Sequence, residues 1–165
     1  MTPISMTPST TTPAASALAV TIALMRADQC AAVRQLIVDG LTERWGTYDA
    51  SLNPDIESFP SAYADSTTLV ALRLGQVAGT GTLKPSRNGR AEIVRMSVAR
   101  NSRRTGIGSL ILSQLINIAR ERGICEITLE TSSSWASAIE FYLGYGFRKT
   151  HESGGDTYFV YSLKP

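Results

Sequence analysis

Apolar positions along the chain fall first into short strand-like runs and then into helical stripes, and the switches between the two mark the elements. Val20 to Arg26 (VTIALMR) reads as a strand, and Asp28 after it predicts the N-cap of a helix carrying Val33, Leu36, Ile37 and Leu41 on one face. Residues 44 to 63 mix aromatics, prolines and acids without long periodicity. They read as a loop with a short helix starting near Pro54, a residue favoured in a first helical turn. Runs 67–74 (TTLVALRL) and 77–84 (VAGTGTLK) are strand-like, and Gly75-Gln76 between them is a hairpin signal. A loop with Pro85, Asn88 and Gly89 leads to a third run, 91–99. Three strands joined in succession by turns predict an antiparallel meander.

The period then changes. Ile111, Leu112, Leu115, Ile118 and Ala119 share one helical face, and Gly123 marks its end. Residues 126–131 (EITLET) read as a strand, and Ser133 or Ser134 stands where it would cap a helix carrying Trp135, Ala138, Ile139 and Tyr142 on one stripe. Strand, helix and strand between 91 and 131 make a βαβ unit, which places those two strands parallel. Phe147–His151, the Gly154-Gly155 turn and Thr157–Leu163 close the chain as a hairpin. The expected fold is α+β around a mixed, mostly antiparallel sheet, with no internal repeat.

Composition bounds what such a fold can be for. The 165 residues suit one domain, and 43% hydrophobic with 18% charged residues is ordinary globular composition. No apolar stretch reaches the ~18 residues of a spanning helix, so the chain is expected to be soluble, with no membrane partner. Residues 1–19 are rich in Ser, Thr, Pro and Ala and carry no charged side chain. Prolines at 3, 8 and 13 break them as a secretory signal, so they read as a flexible tail ahead of a single domain over 20–165. The net charge of +2 is too mild to imply nucleic acid, and there is no basic stripe with interleaved aromatics. Cys30 and Cys125 are too few and too far apart for a disulfide framework or a zinc cluster, so no metal is expected. Both read as small buried hydrophobes in a reducing, cytoplasmic compartment.

The richest stretch is VRMSVARNSRRTGIGSLILSQL. A strand ends, a short basic loop comes next, and two glycines open an amphipathic helix. Such a loop aims backbone N–H groups at one spot while the helix N-terminus adds partial positive charge, an arrangement suited to phosphate or pyrophosphate. Arg103 and Arg104 add full charges with phosphate-matching forks. A P-loop would need Gly-Lys-Ser/Thr after four residues, and a dinucleotide fingerprint a third glycine at 111; neither is present. Glycines that merely tighten a strand-to-helix turn are the other reading.

Arg103-x-x-Gly106-x-Gly108 resembles the pyrophosphate-binding motif of the GNAT acetyltransferases. Ala138-Ile139-Glu140-Phe141-Tyr142 followed by Gly146-Phe147 is similar to that family's A-x-x-F/L-Y-x-x-x-G-F segment. The resemblance covers residues 91 to 147 and implies a GNAT-like fold with a splayed parallel strand pair, 91–99 and 126–131. It implies acetyl-CoA as co-substrate, held by the backbone at Met96, Ser97 and Val98 and by Arg103, Arg104, Thr105, Gly106, Ile107, Gly108 and Ser109. Trp135 stands where the family often has an Asn against the cofactor, a departure within the motif.

The implied reaction is attack of a primary amine, on a small molecule or a protein, on the thioester carbonyl. It needs an uncharged amine and a proton for the leaving thiolate. By resemblance Tyr142 is the acid, although its place on a helical stripe also fits plain core packing. Glu92, in Glu92-Ile93-Val94, resembles the base of histone-acetylating members; it equally fits a solvated strand end. Period-two alternation places Glu92 on the face of Met96 and Val98. Trp45, Tyr48, Phe59 and Tyr63, with Asp49, Asp55 and Glu57, could line an aromatic, acidic acceptor mouth, or pack an irregular loop on the sheet. A non-catalytic acyl-CoA-binding sensor would keep the glycine loop and need neither Tyr142 nor Glu92. Many relatives form dimers, so a homodimer is the expected assembly.

Overall fold

Seven strands pair into one sheet in the order β1-β2-β3-β4-β5-β7-β6 in the computed structural model, which describes residues 19–163. The strands are β1 (Val20–Leu24), β2 (Thr67–Arg73), β3 (Gln76–Pro85), β4 (Arg90–Val98), β5 (Glu126–Ser132), β6 (Arg148–Ser153) and β7 (Asp156–Ser162). The helices are α1 (Cys30–Trp45), α2 (Pro54–Glu57), α3 (Ile107–Glu121) and α4 (Ala136–Tyr145). Every pairing is antiparallel except β4 with β5, the pair joined through α3. The expected tail lies outside the described residues but for Ala19. Among the described residues no helix is long and apolar enough to cross a membrane.

Helices on both faces of the meander explain why β2 is a continuous apolar run without alternation. Leu69 and Ala71 pack with Ile107, Ile111, Leu112 and Leu115 of α3; Val70 packs on the opposite face with Val33 and Ile37 of α1 and Ile56 of α2. The α3 stripe is buried as its spacing predicts, with Ile107 and Ile116 added and Ile118 only partly covered. In its second half α1 comes so close to β4 that a Cβ on Gly40 would stand 2.9 Å from Ser97 Oγ, so a larger residue there would have to displace that hydroxyl.

Local chemistry differs from expectation at four places. The β2–β3 turn is Leu74-Gly75, not Gly75-Gln76, since Arg73 pairs with Gln76 and both turn residues have positive φ, as a type I′ turn requires. Asp28 does not cap α1. It forms a two-pronged ion pair with Arg26, and a 3-10 turn over Ala27–Gln29 precedes the helix. Neither serine caps α4: Ser133 bonds Thr157, Ser134 bonds Ser132, and Trp135 occupies the cap position. Cys125 is exposed and Cys30 half-buried, so neither thiol is the core residue expected.

Candidate active site

The parallel pair β4–β5 is hydrogen-bonded in register only from Arg90, Ala91 and Glu92 to Glu126, Ile127 and Thr128. Beyond that, β4 runs on to Val98 and β5 to Ser132 without pairing, so the two strands part and leave a slot. The deviation has a local cause. Opposite β3, Thr82 pairs with Val94 but Thr80 pairs with Ser97, so β4 carries one extra residue. That residue is Arg95, with φ +54, a left-handed conformation uncommon outside glycine. Such a bulge bends its strand and re-aims the residues on its far side.

The bulge also overturns the expected alternation. Ala91, Ile93, Met96 and Val98 all pack with the α3 cluster, so Glu92 lies on the opposite face from Met96 and Val98. There Glu92 is half-buried. Burial pushes its carboxyl above the usual range; Lys84, its cross-strand partner, pulls it back and Glu130 pushes it further up. A carboxyl raised this way can exchange a proton nearer neutral pH.

The glycine loop meets the slot at its open end, where Gly108 faces Val98 and the Phe141 ring. Gly106 caps α3 with φ +85, a conformation that glycine adopts freely. None of the backbone N–H groups from Arg104 to Ser109 donates a hydrogen bond among the described residues, although Leu110 N–H already bonds Gly106 O. These idle donors lie at the positive end of α3, the makings of an anion site. The side chains divide differently from expectation. Ile107 is core, and Arg103 is committed elsewhere: its Nε donates to Val98 O at 3.1 Å and its two Nη atoms to the Glu43 carboxylate at 2.7 and 2.9 Å. Arg104 is exposed, with no ion pair among the described residues, which makes it the arginine available to an incoming anion.

Tyr142 is 8% exposed, wedged between Phe141, Phe147 and Phe159. Burial pushes its hydroxyl up to about 12, and Arg44 pulls in the opposite direction. The hydroxyl makes no hydrogen bond among the described residues, yet it is not sealed in, since no fully buried side-chain oxygen or nitrogen lacks a partner. The ring of Tyr142 is therefore core, and its hydroxyl is left without a partner among the described residues. Trp135, the motif's departure, packs against Trp45 with ring centroids 5.2 Å apart and planes tilted by 52°, and the Arg44 guanidinium carbon lies 4.3 Å from the centre of its ring.

Most of the expected acceptor mouth is packing. Tyr48 and Phe59 belong to the second core cluster, and the Tyr48 hydroxyl donates to Glu57, which also pairs with Arg34. Tyr63 donates to Asp55, while Arg95 grips both Asp55 oxygens at 2.7 and 2.8 Å and Asn53 at 3.1 Å. Asp55 and Glu57 are thus neutralised inside the loop, and of the four aromatics only Trp45, 57% exposed, is open. Sequence reasoning missed Arg95 and Arg44, for no motif marks them; a positive charge inside a strand otherwise rich in apolar residues was the one available signal for Arg95.

The model of the family described as "Acetyltransferase (GNAT) family" matches residues 30–147. The chain belongs to the GNAT acetyltransferase family. Among curated relatives, N-acetyltransferase 8F1 of Rattus norvegicus is 31% identical over 114 residues, covering 64% of this chain and 52% of the relative. N-acetyltransferase 8B of Homo sapiens is 30% identical over 118 residues, covering 66% and 52%. The chain spans about half the length of the curated relatives it matches. The fold is that of a GNAT acetyltransferase from Staphylococcus aureus Mu50, with TM-score 0.80 and 22% identity over 88% of this chain and 100% of the other. It is also that of the PaiA N-acetyltransferase from Thermoplasma acidophilum, solved in complex with coenzyme A, with TM-score 0.77 and 17% identity over 88% and 100%. This GNAT chain keeps both segments of the resemblance in sequence, and Gly108 of the first faces Phe141 of the second.

Proposed function

We propose that the chain is an acetyl-CoA-dependent N-acetyltransferase that delivers the acetyl group to a primary amine by direct attack. The observation that carries this is the parting of β4 and β5 beyond Glu92 and Thr128, opening onto the idle amides of Arg104–Ser109. The pantetheine arm would lie along Met96, Ser97 and Val98 as an extra strand on backbone that β5 leaves unpaired. The pyrophosphate would sit on the α3 amides with Arg104 beside it. Tyr142 would protonate the leaving thiolate, and Glu92, on the opposite face, would take a proton from the acceptor ammonium through water. Names of the rat and human relatives, and the coenzyme A bound by the Thermoplasma protein, support the same donor. A sensor that only held the cofactor would have no use for a tyrosine hydroxyl left without a partner at the edge of the core. The two unpaired thiols suit the reducing, cytoplasmic setting of the same reading.

Acetyl-CoA, and not NAD or ATP, should raise the melting temperature in calorimetry, because a ligand bound only by the native state stabilises it by mass action. Equal shifts with NAD would remove the assignment. Glu92→Gln should slow turnover by ~10²-fold where the acceptor amine is protonated, and recover in part as pH rises and free amine accumulates. A pH–rate profile displaced evenly at every pH would show that Glu92 positions the acceptor without moving its proton.

A further inference from the structure

The sheet face that carries Glu92 is only partly covered: the core cluster that α1 and α2 build there takes no residue from β5, β6 or β7. Ile127, Leu129 and Phe159 belong to the α3 cluster, so their neighbours Thr128, Glu130, Tyr158 and Val160 lie on the Glu92 side. Register then sets out two rows. Glu92, Thr128, Val160 and Arg148 are successive partners across β4, β5, β7 and β6, and Glu130, Tyr158 and His151 form the next row. Directly opposed residues share a face, so Arg148 and His151 also lie on the Glu92 side. A cavity of about 220 Å³ lies over these rows, lined by Thr128, Val160, Arg148, Tyr158 and His151 among others. The Tyr158 and His151 rings stack in parallel, with centroids 4.4 Å apart and planes within 4°, as one flat wall.

The first row ends in opposite charges. Glu92 and Thr128 are the last pair before β4 and β5 part, so the carboxyl stands where the slot begins. Three strand spacings of ~4.8 Å put Arg148 about 14 Å away, with small Thr128 and apolar Val160 between. Arg148 has no ion pair among the described residues, and Glu126, the acid in the cavity lining, is held by Arg90 at 3.1 Å. We infer that this trough holds the acceptor, and that the acceptor is a primary amine carrying a carboxylate at the far end of a flat or apolar spacer. The amine lies by Glu92 at the start of the slot, the spacer on Val160 and the Tyr158–His151 wall, and the carboxylate on the Arg148 fork. The inference rests on the transferase reading above and names the acceptor class for it. It also places the acceptor away from the 44–63 segment, where Asp55 and Glu57 are already held by Arg95 and Arg34.

Two amines that differ only in the carboxylate test this: phenethylamine and its para-carboxy derivative. Titration calorimetry in the presence of CoA, which has no acetyl group to give, reads binding, and steady-state rates with acetyl-CoA read kcat/KM. The carboxylated amine should bind ~5-fold more tightly and be used ~5-fold better, a modest gain because an ion pair open to solvent is screened. Arg148→Ala should remove that preference, Arg148→Glu should reverse it, and molar salt should erase it in the wild type. Arg148 is exposed on an edge strand, so both variants should fold, which their melting temperatures check. Equal binding of the two amines to the wild type, binding of neither, or a preference that survives Arg148→Glu would overturn the inference. A preference in binding that depends on Arg148, with turnover of neither amine, would overturn the transferase reading and leave the trough as a binding site for such amines.

Discussion

Tyr142→Phe should lower turnover by ~10²-fold or more while leaving acetyl-CoA binding nearly unchanged. The substitution keeps the ring among Phe141, Phe147 and Phe159 and removes one oxygen that makes no hydrogen bond among the described residues. Folding should therefore be unaffected, since a hydroxyl that makes no hydrogen bond within the fold can be removed at little cost in stability. With its value pushed up to about 12, the hydroxyl stays protonated across the working range, as an acid must. Single-turnover rates and the calorimetric shift with acetyl-CoA separate the two effects. An unchanged rate would mean that proximity, or solvent, serves in place of this acid.

Asp55→Ala should destabilise the fold by ~3 kcal/mol, since it strips a half-buried arginine of its partner. Arg95 is about one-fifth exposed and Asp55 about one-quarter, at 22% and 27%, so screening is limited. The pair also ties the loop before β2 to the bulge, and acetylation should fall along with stability as the slot loses its brace. Burial pushes the Asp55 carboxyl up, but hydrogen bonds from Arg95 and Tyr63 outweigh it and hold it below the ordinary value. A depressed carboxylate contributes its stability above the unfolded pKa and loses it as pH falls through the folded one. The wild type should therefore lose stability in acid, and the variant should show less of that loss. Urea melts at neutral and acid pH measure both; parallel curves for the two proteins would show that the ion pair contributes nothing.

The sequence was most legible where one period governs. The α3 stripe, the antiparallel meander and the parallel pair all derive from apolar spacing and loop lengths, which depend on neighbours a few residues away. The bulge at Arg95 does not. One extra residue in β4 reverses which face Glu92 shares with Met96, and its register is set by pairing with β3, residues that lie far off in the chain. Composition was misleading in the segment from 44 to 63. Its acids and aromatics suggest a mouth for cations, but Arg34 and Arg95 come from α1 and β4 to neutralise Glu57 and Asp55. The glycine loop was legible as a backbone feature, and less so in its arginines, because the partner of Arg103 is Glu43 on α1, sixty residues away.

The tilted contact of Trp45 with Trp135 joins the end of α1 to the start of α4, and the chain contains no other tryptophan. Indole emission from this protein accordingly originates at a single junction beside the slot, and none of it comes from the core under α3. A spectroscopist following it would observe local opening of that junction, with global unfolding visible only insofar as the two helices part, so backbone dichroism and emission would be measuring different events in the same sample.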